Sequence, residues 1–92
     1  NVEVPDRFAL GQNYPNPFNP STNFEFRIAN REFVNLGVFD VLGREVAILV
    51  NEVRAAGVYT VRWDASSFPS GVYYYRLQSD DFVESKKMVL MK

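Results

Sequence analysis

The sequence has 92 residues, of which 47% are hydrophobic and 15% aromatic, a length that fits one small domain. Its 10 basic and 11 acidic residues nearly cancel, which argues against a large electrostatic surface for nucleic acid or for an anionic membrane. The chain contains no cysteine and no histidine, so it offers no thiolate nucleophile, no cysteine-based metal site and no imidazole base. No apolar run reaches the roughly 18–20 residues of a membrane helix, so membrane insertion is not expected.

A proline-rich segment follows a short apolar stretch near the start of the chain. Three prolines at positions 15, 17 and 20 remove backbone donors and push the residues before them toward extended geometry. This composition excludes a helix and a central strand. We therefore expect Asn13–Thr22 to form an ordered turn segment, anchored by the aromatic side chains of Tyr14 and Phe18.

Beyond this segment apolar and polar side chains alternate, as in strands with one buried and one exposed face. The alternation is clearest over Asn23–Ile28, Val34–Val38 and Tyr59–Trp63, and further β-forming stretches lie at Arg44–Val50, Val72–Gln78 and Phe82–Met91. No segment shows a sustained helical period. The residues predicted to point inward are Phe24, Phe26, Leu36, Val38, Val61, Trp63, Tyr73 and Tyr75.

Turn signals separate these runs. Asp40–Gly43 is typical of a tight hairpin loop in which Gly43 takes a positive φ. Counting Phe8–Leu10, about seven short strands are expected, which predicts an all-β, immunoglobulin-like antiparallel β-sandwich over residues 8–92. Residues 1–7 are predicted to be a linker from an upstream domain.

Two groups of side chains could suggest other functions. Five aromatic residues could form a sugar-stacking platform, but their alternation favours a core role for all except Tyr74, which is expected to point outward; they are Tyr59, Trp63, Tyr73, Tyr74 and Tyr75. Four aspartates could offer oxygen ligands to calcium, but without a dense acidic loop turn formation is favoured; they are Asp40, Asp64, Asp80 and Asp81. The serines have no histidine to activate them. We therefore predict no enzyme activity, cofactor or metal site.

Four stretches of the sequence carry a family resemblance. They are Leu10–Thr22 with its Asn-Tyr-Pro-Asn-Pro-Phe-Asn-Pro run, Val38–Val46, Ala56–Asp64, and Ser70–Leu77 followed by the closing Lys86–Lys92. With these stretches the chain resembles the C-terminal sorting domain of the type IX (Por-type) secretion system of the Bacteroidota. The turn around Asp40–Arg44 is also similar to the immunoglobulin-like part of flagellar hook-capping proteins, so by itself it indicates the fold more than the role.

The resemblance implies a sorting signal domain that directs a cargo, fused at its N-terminal side, through the outer-membrane secretion machinery. The expected partners are the type IX translocon and a surface peptidase, and the expected destination is the cell surface or the medium after transit through the periplasm. The family places its recognition signal in the last strand, which here comprises Lys86, Lys87, Met88, Val89, Leu90, Met91 and Lys92. Such an edge strand also suits strand addition by a partner.

The alternative interpretation is an immunoglobulin-like accessory module of a secreted hydrolase, either carbohydrate-binding or a spacer. Position in the precursor separates the two, because a sorting domain should end the precursor within a residue or two of Lys92, whereas an accessory module can lie anywhere. The alternative interpretation of Lys86–Lys92 is a final strand whose lysines protect a sheet edge against aggregation.

Overall fold

The computed structural model describes residues 5–92. Within this range every regular element is a strand, and none is a helix that could cross a membrane. The strands are β1 (Ala9–Leu10), β2 (Ser21–Ile28), β3 (Glu32–Phe39), β4 (Glu45–Arg54), β5 (Gly57–Asp64), β6 (Gly71–Ser79) and β7 (Phe82–Leu90). The predicted all-β class and the strand number of about seven are confirmed.

The strands form two antiparallel sheets. One sheet has the order β1-β2-β5, and the other has the order β4-β3-β6-β7. The chain therefore crosses between the sheets after β2, β4 and β5, while β3–β4 and β6–β7 are hairpins. This arrangement confirms the predicted sandwich and places β7 at one edge of the four-stranded sheet.

The inner faces of both sheets supply the core, as expected from the alternating pattern. Phe24 on one sheet meets Tyr75 on the other, with ring centroids 4.6 Å apart. Of the eight residues predicted to point inward, seven are buried, and Val61 is partly buried and packs against them. The buried apolar residues are Leu10, Phe18, Phe24, Phe26, Ile28, Val34, Leu36, Val38, Val50, Trp63, Ala65, Tyr73, Tyr75, Leu77, Met88 and Leu90.

The hairpin between β3 and β4 has the predicted turn chemistry. The Asp40 carboxylate accepts hydrogen bonds from the backbone N–H groups of Leu42 (2.9 Å) and Arg44 (3.0 Å), and Gly43 has a φ of 82°. The Arg44 Nε lies 2.8 Å from the second Asp40 oxygen. These contacts, with the Arg44 backbone N–H contributing most, hold the pKa of Asp40 below its usual value.

One strand boundary differs from the sequence-based prediction. The strand expected over Arg44–Val50 extends to Arg54, because its partner β3 begins already at Glu32, and two register shifts accommodate the extra residues. Of the predicted linker, residues 1–4 lie outside the described residues and Pro5 is buried, while Phe8, the first residue of the predicted domain, stacks on Phe82. The boundary between linker and domain stays a prediction.

Candidate functional site

The predicted recognition segment is the C-terminal half of β7 and the two residues after it. β7 pairs along its whole length with β6, so that Met88 lies opposite Tyr73 and Leu90 opposite Gly71. Side chains alternate between the two faces of the sheet: Met88 and Leu90 are buried in the core, whereas Lys87 is exposed on the other face. The structure thus keeps the seven predicted residues together but presents only some of them to a partner.

A loop covers the outer backbone edge of this half of β7. We call residues 12–20 the strap. The Phe18 N–H donates to the Val89 carbonyl (2.9 Å), and the Met91 N–H donates to the Phe18 carbonyl (2.9 Å). The Val89 N–H donates to Asn16 Oδ1 (3.0 Å), and Gln12 Nε2 donates to the Lys87 carbonyl (3.0 Å). The expectation of a free edge is therefore wrong for Lys87–Met91, because the strap occupies the groups that an added strand would need.

Asn13 fixes the strap to the body of the sandwich. Its backbone N–H donates to the Tyr75 hydroxyl (2.8 Å), and that hydroxyl donates to the Gly11 carbonyl (2.8 Å). Its buried side chain donates to Thr22 Oγ1 (3.0 Å) and to the Pro15 carbonyl (3.2 Å). Burial raises the pKa of Tyr75 from its ordinary value of 10.0 to about 12, which extends the pH range over which the hydroxyl remains a donor.

Of the two aromatic anchors predicted for the strap, one is confirmed and one is wrong. Phe18 is buried and contacts Trp63, with ring centroids 5.9 Å apart. Tyr14 is 78% exposed. Its backbone pairs with Asn23 of β2, and this register directs the Tyr14 side chain to the same outer face as the exposed Asn23. Sequence spacing alone could not distinguish the two rings.

The three lysines of the segment have different surroundings. Lys86 lies on the inner face of β7 at the rim, where its Nζ is 3.2 Å from Glu84 Oε2. Lys92 is tied to the neighbouring loop, since its Nζ donates to the Ser66 carbonyl (2.6 Å) and its N–H donates to Ser70 Oγ (3.0 Å). Lys87 is exposed and has no salt bridge among the described residues. Lys87 is therefore the cation of the segment with the greatest freedom to meet a partner.

The other candidate sites of the sequence fall into structural roles. Trp63, Tyr73 and Tyr75 are buried, Tyr59 packs against the core and only Tyr74 points outward, so the five aromatics do not form one platform. Within residues 5–92 no group of three or more acidic side chains is placed to hold a metal ion. The Asp64 carboxylate accepts from the Ser66 N–H (2.9 Å), an interaction that lowers the pKa of Asp64 and orders the turn.

These observations define an all-β sandwich domain whose last strand is covered at its outer edge by a preceding loop. In agreement, the family model described as "Secretion system C-terminal sorting domain" matches residues 12–91. The chain therefore belongs to this family, whose members are the sorting signals of type IX secretion. No curated protein sequence matches the chain significantly.

Family membership establishes the coarse function. The domain is a C-terminal sorting signal that directs export by type IX secretion to the cell surface or the medium, and it acts on a cargo fused at its N-terminal side. A family of sorting signals is not a family of catalysts. The matched range includes both the strap and the predicted recognition segment as far as Met91, so both parts of the chain belong to the family domain.

Proposed function

We propose that the secretion machinery recognises the folded domain at the outer face of β7, over the segment Lys86–Lys92. In this proposal the partners are the type IX translocon and a surface peptidase, the cargo passes through the periplasm, and residues 8–92 act as the sorting domain behind a linker of residues 1–7. No observation favours the alternative role as a carbohydrate-binding or spacer module.

The observation that carries the proposal is that β7 has one set of side chains buried in the core and another set at the surface. Met88 and Leu90 are buried and fix the strand in the core, while the side chains between and after them reach the surface. A partner would therefore contact Lys87, Val89 and Met91, with Lys92 beside them. Because the strap already pairs with the backbone of this half of β7, we expect recognition through side chains and not through strand addition.

The charge of the segment suits an acidic partner. Lys86, Lys87 and Lys92 contribute three cations to seven residues that contain no acid, although the whole chain has a net charge of −1. Glu84 offsets Lys86, and the remaining excess lies at Lys87 and Lys92. Complementary charges of this kind chiefly raise association rates and exclude wrong partners.

The test follows a reporter fused ahead of Asn1 in a bacterium with a type IX system. Lys86→Gln/Lys87→Gln should change the free energy of unfolding by about 1 kcal/mol or less, because Lys87 is exposed and the partly exposed Lys86 loses only its rim ion pair with Glu84. We expect it to lower delivery of the reporter to the surface. A variant without Lys92 should have a smaller effect of the same sign. The matched control is Arg31→Gln/Arg62→Gln, which removes two exposed cations elsewhere and should export normally.

A second control separates recognition from folding. Trp63→Ala removes a core side chain and should cost about 3–5 kcal/mol, a large part of the roughly 5–14 kcal/mol expected for a domain of this length. It should lose export together with the fold. Surface delivery at wild-type level by folded Lys86→Gln/Lys87→Gln protein, and also by the variant without Lys92, would contradict a role for the lysines.

A further inference from the structure

An apolar surface lies at the end of the four-stranded sheet, next to the C-terminal half of β7. We call it the end surface. Val41 is 65% exposed, Leu42 is 72% exposed and Met91 is 58% exposed, and Tyr74 is 41% exposed beside them. The half-buried pair Val72 and Val89 lies opposite each other on β6 and β7.

Two clefts and the pairing of β6 with β7 connect Val41, Leu42 and Tyr74 with the pair Val72 and Val89. A cleft of about 360 Å³ is lined by Val41, Leu42, Phe68 and Val72. A second cleft of about 360 Å³ is lined by Val41, Tyr74, Arg76 and Ser85. Val41 therefore stands between two depressions that join the β3–β4 turn to β6 and β7. Tyr74 is paired with Lys87, so the cation of the recognition segment borders the same surface.

The β3–β4 turn holds its two apolar side chains in a fixed position. Asp40, Gly43 and Arg44 build the turn through the contacts given above, and each has a structural reason to be present. Val41 and Leu42 have no such structural reason to be present, because polar residues at the tip would form a turn of this kind equally well. A rigid turn that exposes a valine and a leucine offers a preorganised anchor, which lowers the entropy lost when a partner binds.

The entry point of the chain argues against the cargo as the occupant. Phe8 stacks on Phe82, at the beginning of β7, with ring centroids 5.8 Å apart. The end surface lies at the other end of β7, roughly 26 Å away at about 3.3 Å per residue. A cargo joined before Pro5 thus enters the sandwich at the opposite end.

A second copy of the domain is also disfavoured by charge. Lys87 borders the end surface and has no salt bridge among the described residues. Two copies joined by this surface would bring the same cation toward itself. An acidic apolar partner would instead gain both contacts.

From these observations we infer that the end surface is a second anchor for the protein of the secretion machinery that recognises β7, with Val41 and Leu42 entering an apolar pocket that has an acidic rim. This inference rests on the proposed function, since it extends the same interface. It gives the Asp-Val-Leu-Gly-Arg turn a binding role in addition to its role in the fold.

The experiment replaces the two exposed side chains in the full chain behind the reporter. Val41→Ser/Leu42→Ser should unfold at the wild-type temperature, because neither side chain is in the core. We expect surface delivery to fall at least about tenfold, the effect of losing one good apolar anchor. The matched control is Phe33→Ser/Val53→Ser, which removes a cross-strand pair of exposed apolar residues from the opposite end of the same sheet face and should export normally.

A photoreactive residue at position 42 identifies the occupant directly. Crosslinking in cells to a component of the secretion machinery, absent when the probe is at position 33, would support the inference. Crosslinks only to the cargo or to a second copy, or none at all, would overturn it. Normal export by Val41→Ser/Leu42→Ser alongside defective export by Lys86→Gln/Lys87→Gln would also overturn the inference while leaving the proposed function intact. Normal export by folded Lys86→Gln/Lys87→Gln protein, and by the variant without Lys92, would instead contradict the proposed function.

Discussion

Gly43 supplies a backbone conformation that other residues adopt at a cost. Its φ is 82°, and a Cβ added there would meet no atom within 4 Å. A Gly43→Ala change should therefore destabilise the fold only through the cost of a positive φ for alanine, about 1–2 kcal/mol. We expect the urea midpoint of unfolding to fall accordingly, with no change in the dependence of the free energy on urea concentration.

Gly37 is the matched control for this prediction, because it lies inside β3 where a side chain is more usual. A Cβ there would come within 2.6 Å of Glu45 Oε2, the end of a flexible side chain that can move aside. We expect Gly37→Ala to be neutral or to stabilise by up to about 1 kcal/mol, through the reduced entropy of the unfolded chain. A Gly37→Ala variant less stable than Gly43→Ala would contradict both assignments.

At the level of elements, the strap covers the outer backbone edge of β7, which is the edge strand of its sheet. An uncovered β7 would present unpaired backbone groups next to an apolar segment, an arrangement that promotes association between sheets. The strap is held by the buried Phe18 ring and by the Asn13 network, so its order depends on contacts with both sheets. Its prolines reduce the entropy that is lost when it becomes ordered.

Hydrogen exchange of the strap tests this arrangement. The amides of Asn13, Tyr14 and Phe18 donate to acceptors in the fold and should exchange slowly, while those of Asn16 and Asn19 donate to none within residues 5–92 and should exchange fast. Phe18→Ala should cost about 3–5 kcal/mol and should speed exchange at Val89 and Met91. Uniformly fast exchange through the strap of the wild-type chain would show that it does not cover β7.

The elements were predictable to different degrees for a physical reason. Period-two alternation reports a local property, so the inward faces around Phe24 and Trp63 could be recognised from the sequence. The strap contact with β7 joins Phe18 to Leu90, and neither residue carries a local signal of that pairing. Met88–Met91 is a continuous apolar run without alternation, so the sequence could not show which of its side chains are buried; the register with β6 places Met88 and Leu90 in the core.

At the scale of the whole molecule, stability depends on pH through the few side chains whose pKa is shifted by folding, because the sequence has no histidine. Hydrogen bonds from the turns, led by the Arg44 and Ser66 backbone N–H groups respectively, lower the pKa of Asp40 and Asp64. Their stabilising effect is fully present above the unfolded pKa of about 3.9 and is lost as the pH falls through the folded value. Burial raises the pKa of Tyr75 from an ordinary value of 10.0 to about 12 and also raises that of Tyr73.

At alkaline pH the free energy of unfolding falls as the pH rises, the opposite of its behaviour at acidic pH. Between pH 10 and pH 12 the unfolded chain loses the Tyr75 proton while the folded domain keeps it, so the stabilising effect is complete below pH 10 and declines toward pH 12. We therefore expect the free energy of unfolding to be nearly constant from about pH 5 to pH 9, because no side chain of the sequence has an ordinary pKa in that range. It should fall below about pH 4 and above about pH 10.

The Tyr75→Phe variant tests whether Tyr75 contributes to the loss of stability above about pH 10. At pH 7 the variant should be less stable by about 1–3 kcal/mol, because the buried Asn13 N–H loses its acceptor. Above pH 10 the wild-type chain begins to lose this advantage, so urea titrations at pH 7, 10 and 11.5 should show the difference between the two proteins narrowing. A constant difference would mean that Tyr75 titrates alike in the folded and unfolded chain, and a widening difference would mean that folding lowers its pKa; either result would contradict the raised pKa of the buried hydroxyl.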